Sequence, residues 1–190
     1  MTDRKLSALV GLFYVLAFPL YGGGQFLLQG GMPYAGLGLI LVNSAVVIAI
    51  GFALGSIIAR SSPKVAATVL WGRLIEGILL GAGAIAFLLF AGSEEGQSLN
   101  LAAYHGGMMV LGAAGIVLSI WMFNVRAVPP ILAVFGVIGY VSLATAMVLE
   151  RLGNDPLSLR FLAIAGVFEI VFALWLVARG FRPTVATPVK

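Results

Sequence analysis

Apolar residues fill six long blocks of the chain, separated by short connections rich in Gly, Pro, Ser and charged residues. Each block holds the roughly 20 mostly apolar residues that a helix needs to cross the hydrocarbon core of a bilayer. The pattern predicts an all-α integral membrane bundle of six transmembrane helices. The spans are predicted at about residues 6–28, 34–59, 65–91, 99–123, 130–149 and 159–178.

The connections between these blocks are too short to hold a second folded unit. Short connections place consecutive helices side by side and antiparallel. The first block is longer than the roughly 7–15-residue apolar region of a signal peptide, so it counts as a membrane span. Residues 1–190 are therefore interpreted as a single transmembrane domain.

The composition supports this interpretation. Hydrophobic residues make up 61% of the chain and charged residues 9%, against roughly 45–50% and 25% in soluble domains. A net charge of +4 without a basic run argues against a nucleic-acid partner. The absence of cysteine and the single histidine argue against thiol chemistry and ordinary metal sites. We expect the lipid bilayer as a partner, and no cofactor or metal.

Positive charges collect on one side of the predicted bundle. That side carries Arg4, Lys5, Arg60, Lys64, Arg126, Arg179, Arg182 and Lys190. The opposite side has fewer, accompanied by acidic residues: Arg151, Arg160, Glu94, Glu95, Glu150 and Asp155. Because cytoplasmic loops carry the Lys/Arg excess, both termini are predicted to be cytoplasmic.

Two pairs of glycines have the four-residue spacing that stacks small residues on one helix face. They are Gly51 and Gly55 in the second span, and Gly77 and Gly81 in the third. Such faces let helix backbones approach closely in lipid. We favour packing within the bundle and keep homo-oligomer formation through these faces as the alternative.

Three charged residues fall deep inside the predicted spans: Arg73, Glu76 and Glu169. Arg73 and Glu76 share a helix face, and both carboxyls lie roughly 15 Å from the start of their spans, near the midplane. One arginine cannot balance two carboxylates, so a proton or a cation is expected there. The cluster is interpreted first as a structural ion pair. The alternatives are a proton or cation site for transport, and recognition of a polar ligand or lipid headgroup.

Other polar residues extend the candidate ligand or proton site. Asn43 and Tyr140 lie at similar depth, and Tyr14 is also central, so together they could line a small pocket. His105 lies near the opposite end of the fourth span. We favour a packing role for it, with proton binding as the alternative because histidine changes charge near neutral pH. Pro19 and Gly22–Gly24 predict a kink or break in the first helix.

Several of these residues belong to a recognisable pattern. Arg73-x-x-Glu76, the stretch from Pro129 to Tyr140, and Glu169 followed by Trp175-Leu176 and Gly180-Phe181 resemble the bacterial domain-of-unknown-function family 4386. The resemblance covers mainly residues 65–181 and implies a small multi-pass protein of a bacterial inner membrane. It implies no activity, substrate or catalytic residue.

The sequence thus predicts a membrane protein without catalytic residues, organised around the Arg73, Glu76 and Glu169 cluster. No metalloprotease or serine-hydrolase motif is present in the sequence, so a membrane enzyme is disfavoured. A structural or ligand-binding role is the leading hypothesis. A small proton- or cation-coupled transporter is the alternative.

Overall fold

A computed structural model describes residues 3–182; Lys190, counted among the positive charges, lies outside them. The described residues form six helices and no strand. They are α1 (Asp3–Gln29), α2 (Pro33–Ile58), α3 (Pro63–Leu89), α4 (Glu94–Asn124), α5 (Pro130–Arg151) and α6 (Asp155–Ala178). Each predicted span falls on one of these helices, so the all-helical prediction is confirmed.

Prolines and glycines set most of the helix boundaries. Pro33, Pro63 and Pro130 each occupy the first turn of a helix, where a missing N–H removes no helical hydrogen bond. Gly153, between α5 and α6, has a φ of +74°, a backbone conformation that costs glycine little. The connections therefore turn sharply, as their composition predicts.

Two helices, α4 and α6, begin well before the start that hydropathy indicates: at Glu94 against 99 and at Asp155 against 159. α4 starts at Glu94, and its first turn contains two glutamates that the prediction places in a connection. The Ser93 hydroxyl accepts a hydrogen bond from the Gly96 N–H at 3.4 Å, and acidic side chains are favourable at a helix N-terminus. α6 starts at Asp155 for the same electrostatic reason. Hydropathy marks the apolar part of a helix and misses its polar first turn.

The predicted break in α1 does not occur. The helix runs unbroken from Asp3 to Gln29 with Pro19 inside it. Gly24 packs closely on α2, since a Cβ atom there would lie 2.6 Å from Cγ1 of Ile40. This close contact with a neighbouring helix holds the glycine-rich turn in helical form, because the packing offsets the weak helix propensity of glycine.

The six helices form a closed ring in chain order. Each helix packs against the next one, and α6 packs back against α1. Both ends of the described chain lie on one face, here called the terminal face, where Nη2 of Arg4 donates to the carbonyl of Ala178 at 2.7 Å. The opposite face, which carries the α1–α2, α3–α4 and α5–α6 connections, is called the far face.

The outer surface of the ring is apolar. Large side chains such as Phe26, Leu89 and Ile131 are more than three-quarters exposed. All six helices are long and apolar enough to cross a membrane. Soluble monomers rarely expose such extensive apolar surface, so this surface fits contact with lipid and indicates a membrane location.

The glycine faces of α2 and α3 pack on each other. A Cβ atom on Gly51 would lie 2.7 Å from Cβ of Arg73, and one on Gly77 would lie 2.9 Å from the carbonyl oxygen of Ser44. Gly55 and Gly81 are buried as well. These four glycines pack in the α2–α3 contact, as expected for packing within the bundle.

Candidate functional site

Arg73 is the centre of a buried polar cluster. Its Nη1 lies 3.0 Å from Oε2 and 3.3 Å from Oε1 of Glu76, one helical turn further along α3. Its Nη2 donates to the hydroxyl of Tyr14 on α1. Both members of the Arg73–Glu76 pair are almost completely buried. A buried charge needs this kind of close partner, so the pair fixes the inner face of α3.

Glu169 approaches the same guanidinium from α6 but is held less tightly. Its Oε1 lies 3.8 Å from Nη2 of Arg73, beyond hydrogen-bond distance. Its side chain is 17% exposed, against 4% for Glu76. Within residues 3–182, this oxygen has no hydrogen-bond partner. The three predicted residues therefore come together, with one carboxyl paired and the other only nearby.

A cavity of about 260 Å³ lies beside the cluster and reaches Glu169. Arg73, Glu76 and Glu169 contribute its charged groups, and most of the remaining wall is apolar. Phe18 and Gly22 of α1 also line it, and both are exposed on the outer surface. The cavity, here called the midplane cavity, thus extends from the charged cluster to the side of the bundle at α1.

Asn43 lines the midplane cavity, as predicted for a pocket residue. It is 1% exposed, and its Oδ1 has no hydrogen-bond partner in the described part of the chain. Unpaired acceptors are rare in protein interiors. Asn43 and Glu169 thus both line the cavity, and each has a buried acceptor oxygen without a hydrogen-bond partner among residues 3–182.

The other two candidates lie elsewhere. Tyr140 packs behind the cluster, where its hydroxyl is 3.4 Å from that of Tyr14, and it does not line the cavity. His105 lies nearer the far face, with Nε2 at 3.3 Å from Oε2 of Glu150. The structure therefore places His105 outside the midplane cavity.

A pair of stacked tyrosines, which sequence reasoning missed, forms another wall of the cavity. The rings of Tyr21 and Tyr104 lie 5.6 Å apart at an angle of 11°. The same two rings border a second cavity of about 320 Å³ on the side of the far face, here called the vestibule. The only available signal was the position of one tyrosine in each of two spans, which does not reveal that their rings meet.

The vestibule is lined by amides. Nδ2 of Asn100 donates to Oε1 of Gln25 at 3.0 Å, and Nε2 of Gln25 donates to the hydroxyl of Tyr21 at the same distance. The polar lining leads from the far face to the Tyr21–Tyr104 stack. Among residues 3–182, Tyr21 and Tyr104 are the only residues that line both cavities.

Aromatic rings fill the interior on the terminal side. Phe168 and Phe172 are fully buried and stack with centroids 5.7 Å apart. Phe181 lies 5.9 Å from Trp121 and 6.1 Å from Phe172, measured between ring centroids. This group, here called the aromatic plug, packs the terminal half of the ring.

The arrangement is that of a helical membrane bundle with a hydrogen-bonded ion pair, a second carboxyl at 3.8 Å from the same guanidinium, and a small cavity at mid-depth. Among residues 3–182, no three His, Asp or Glu side chains form a group that could hold a metal ion. The groups in the cluster can exchange protons, form ion pairs and form hydrogen bonds.

Comparison with protein families identifies this bundle. The family described as a domain of unknown function, DUF4386, matches residues 29–180, and the chain belongs to it. The match begins earlier than the predicted resemblance and takes in α2 as well. No curated protein and no solved structure matches the chain.

The structure gives the family resemblance a physical meaning. The Arg73-x-x-Glu76 spacing is the buried ion pair. Gly180 has a φ of +69°, which turns the chain at the end of α6 so that Phe181 reaches the aromatic plug. The motifs therefore hold the cluster and close the terminal half of the bundle.

Proposed function

We propose that this protein binds a small amphipathic ligand in the midplane cavity. The observation that supports this proposal is a cavity that extends from the membrane side of the bundle to Glu169 and Asn43, two residues whose side chains each have a buried acceptor oxygen without a partner in the described chain. Ligand sites are mostly apolar clefts with a few convergent polar groups, of about 300–1,000 Å³. A volume of about 260 Å³ suits a small ligand.

The charged cluster divides into two parts in this proposal. Arg73 and Glu76 form the structural pair that fixes α3 against α1, because both are buried and hydrogen-bonded. Glu169 is the ligand-facing carboxyl, because it is more exposed and lacks a hydrogen bond at Oε1 in the described chain. The structural interpretation and the ligand interpretation thus apply to different residues.

We also propose a setting for this activity. The protein acts without catalysis in a bacterial inner membrane, with both termini in the cytoplasm. The asymmetry of Lys and Arg between the two faces supports this orientation. The resemblance to a bacterial family supports the assignment to a bacterial inner membrane.

A coupled transporter is the second candidate. The observation that favours it is the shared wall of Tyr21 and Tyr104, since movement of these rings would join the midplane cavity to the vestibule. Proton flux into proteoliposomes under an imposed potential tests it. Flux that is lost in Glu169→Gln supports transport, and equal background traces for both proteins contradict it.

Equilibrium binding to the purified full-length chain in micelles tests the ligand-binding proposal. The probes are 2-phenylethylammonium, 2-phenylethanol and phenylacetate, which share a ring and differ in charge. Gly166 lines the cavity and has space for a side chain, since the nearest atom to an added Cβ is Cε1 of Phe18 at 3.8 Å. Gly166→Leu should fill the cavity and weaken binding by about tenfold or more.

Gly38→Leu is the matched control, because Gly38 is exposed on α2 and no atom lies within 4 Å of an added Cβ. Saturable binding of at least one probe that Gly166→Leu weakens and Gly38→Leu preserves supports the proposal. Absence of saturable binding for all three probes, or equal binding by both variants, contradicts it.

A further inference from the structure

We infer that the ligand of the midplane cavity is a small lipophilic cation carrying a protonated amine, which replaces a proton at Glu169. This inference rests on the proposed ligand-binding function and names the class of ligand. The ammonium group would lie between Glu169 and Asn43, with the apolar body of the ligand along the cavity wall.

The charge balance of the cluster favours a cation. Arg73 contacts both oxygens of Glu76, within hydrogen-bond distance, so that this pair is neutral. Glu169 stands 3.8 Å from the same guanidinium and brings a second negative charge when it is ionised. An uncompensated charge inside a membrane is costly. A bound proton or a bound cation therefore has to accompany Glu169.

The hydrogen-bonding groups favour a donor. Glu169 Oε1 and Asn43 Oδ1 are buried acceptors without partners among residues 3–182. An ammonium group supplies three N–H donors and no acceptor. An anionic ligand would instead need the guanidinium, whose terminal nitrogens already contact Glu76 and the Tyr14 hydroxyl. The site as built thus accepts hydrogen bonds at its open side.

The walls suit the rest of such a ligand. Tyr21 and Tyr104 line the cavity, and tyrosine faces attract ammonium groups. The Tyr14 ring is already covered by the Arg73 guanidinium, which lies 4.7 Å from its centroid. Apolar side chains such as Leu111 and Leu143 complete the wall and suit a hydrocarbon body. An aromatic or short aliphatic amine therefore matches both the polar and the apolar parts.

Exchange with a proton gives the inference a pH signature. The titratable or charged groups that interact with Glu169 are Arg73, Glu76, Tyr14, Tyr140 and Tyr104, and Arg73 is the positively charged one among them. Where the ligand-free carboxyl is protonated, each bound cation releases one proton. The apparent affinity then rises by up to about tenfold per unit of pH as the competing proton is removed. A neutral probe of the same shape lacks this dependence.

The experiment compares the affinities of the three phenyl probes for the purified full-length protein, from about pH 5 to about pH 8, where the amine stays charged. We expect 2-phenylethylammonium to bind more tightly than 2-phenylethanol by about tenfold or more, with affinity rising with pH. Glu169→Gln should remove the pH dependence and this advantage, so that the amine binds no more tightly than the alcohol. Glu94→Gln, an exposed carboxyl in the first turn of α4, is the control and should change neither.

The outcomes separate the two proposals. If the alcohol or phenylacetate binds as tightly as the amine, or if Glu169→Gln keeps the amine affinity, the cation inference is overturned and the ligand-binding function stands. If none of the three probes binds saturably, the proposed function fails and the inference fails with it.

Discussion

The two halves of the bundle interior are built differently. The terminal half is filled by the aromatic plug, in which Phe168 and Phe172 have no exposed surface. The far half contains the midplane cavity and the amide-lined vestibule. Close packing of rings gives rigidity and leaves no space for a ligand, whereas cavities with unpaired acceptors offer both space and specificity. Under our proposal, the terminal half supplies stability and the far half binds the ligand.

The Arg73, Glu76 and Glu169 cluster lies at the boundary between these halves. Its two carboxyls also differ, since one is tightly packed and the other faces a cavity. Glu76 is fully engaged with Arg73, and Glu169 faces the cavity. Two carboxyls around one guanidinium thus have different environments. Variants that affect one part and spare the other provide the tests below.

Loss of Arg73 should produce the largest effect. Arg73→Met leaves Glu76 buried without its partner, which typically costs about 3–5 kcal/mol. The measurement is the unfolding free energy in mixed micelles. The double variant Arg73→Met/Glu76→Leu should recover much of the loss, because apolar replacement of a whole buried pair is often neutral. If the double variant is no more stable than the single one, the pair is not the structural element we describe.

Overpacking the terminal half should come next. In Gly115→Ala the new Cβ would lie 2.4 Å from Cγ of the fully buried Tyr140 ring, so we expect a loss of about 1–3 kcal/mol in unfolding free energy. Gly22→Ala is the matched change at the cavity, where no atom lies within 4 Å of the added Cβ. It should change stability by less than about 1 kcal/mol. Equal losses in both variants would remove the distinction between a packed and an open half.

Introduced thiols should be labelled faster in the far half than in the terminal half, by about tenfold or more, because labelling of a buried thiol requires local opening of the structure. The chain has no cysteine, so each introduced thiol reports alone. A membrane-impermeant maleimide should label Gln25→Cys, in the vestibule, from the far face. It should label Ala133→Cys, fully buried in the terminal half, much more slowly.

Glu95→Cys and Lys64→Cys, exposed on the far and terminal faces, mark the two sides of the membrane. Under the proposed orientation, only Lys64→Cys is protected in intact cells. Labelling of Gln25→Cys from the terminal face, or equal rates at Gln25→Cys and Ala133→Cys, would contradict the one-sided vestibule.

Glu169→Gln should have the smallest effect on stability. The carboxyl is 3.8 Å from Arg73, beyond hydrogen-bond distance, and Arg73 keeps Glu76 as its partner, so the variant leaves no buried charge unpaired. We expect the unfolding free energy to fall by less than about 1 kcal/mol, the typical net contribution of one hydrogen bond, and well below the effect of Arg73→Met. A loss as large as that of Arg73→Met would make Glu169 a structural residue and not a ligand-facing one.

Hydropathy predicted the number and type of helices because a bilayer requires long apolar segments, whatever packs beside them. It also predicted that Arg73, Glu76 and Glu169 share one depth, since the rise per residue of a helix is constant. Hydropathy placed the start of α4 too late. Glu94 and Glu95 are part of the helix, but they are charged, and hydropathy detects only the apolar segment that crosses the membrane core. Of the kink or break predicted from Pro19 and the three glycines, the break was wrong for a different reason: packing on α2 keeps that part of α1 helical.

The sequence by itself thus determined six apolar helices, their short connections, the family and the depth of the buried charges. Only the tertiary structure decided which carboxyl pairs with Arg73, that Asn43 lines the cavity while His105 does not, and that Tyr21 stacks on Tyr104. The physical reason is that depth follows from counting residues along one helix. The face that each helix turns inward depends on how all six pack around the ring, because side-chain contacts form between helices.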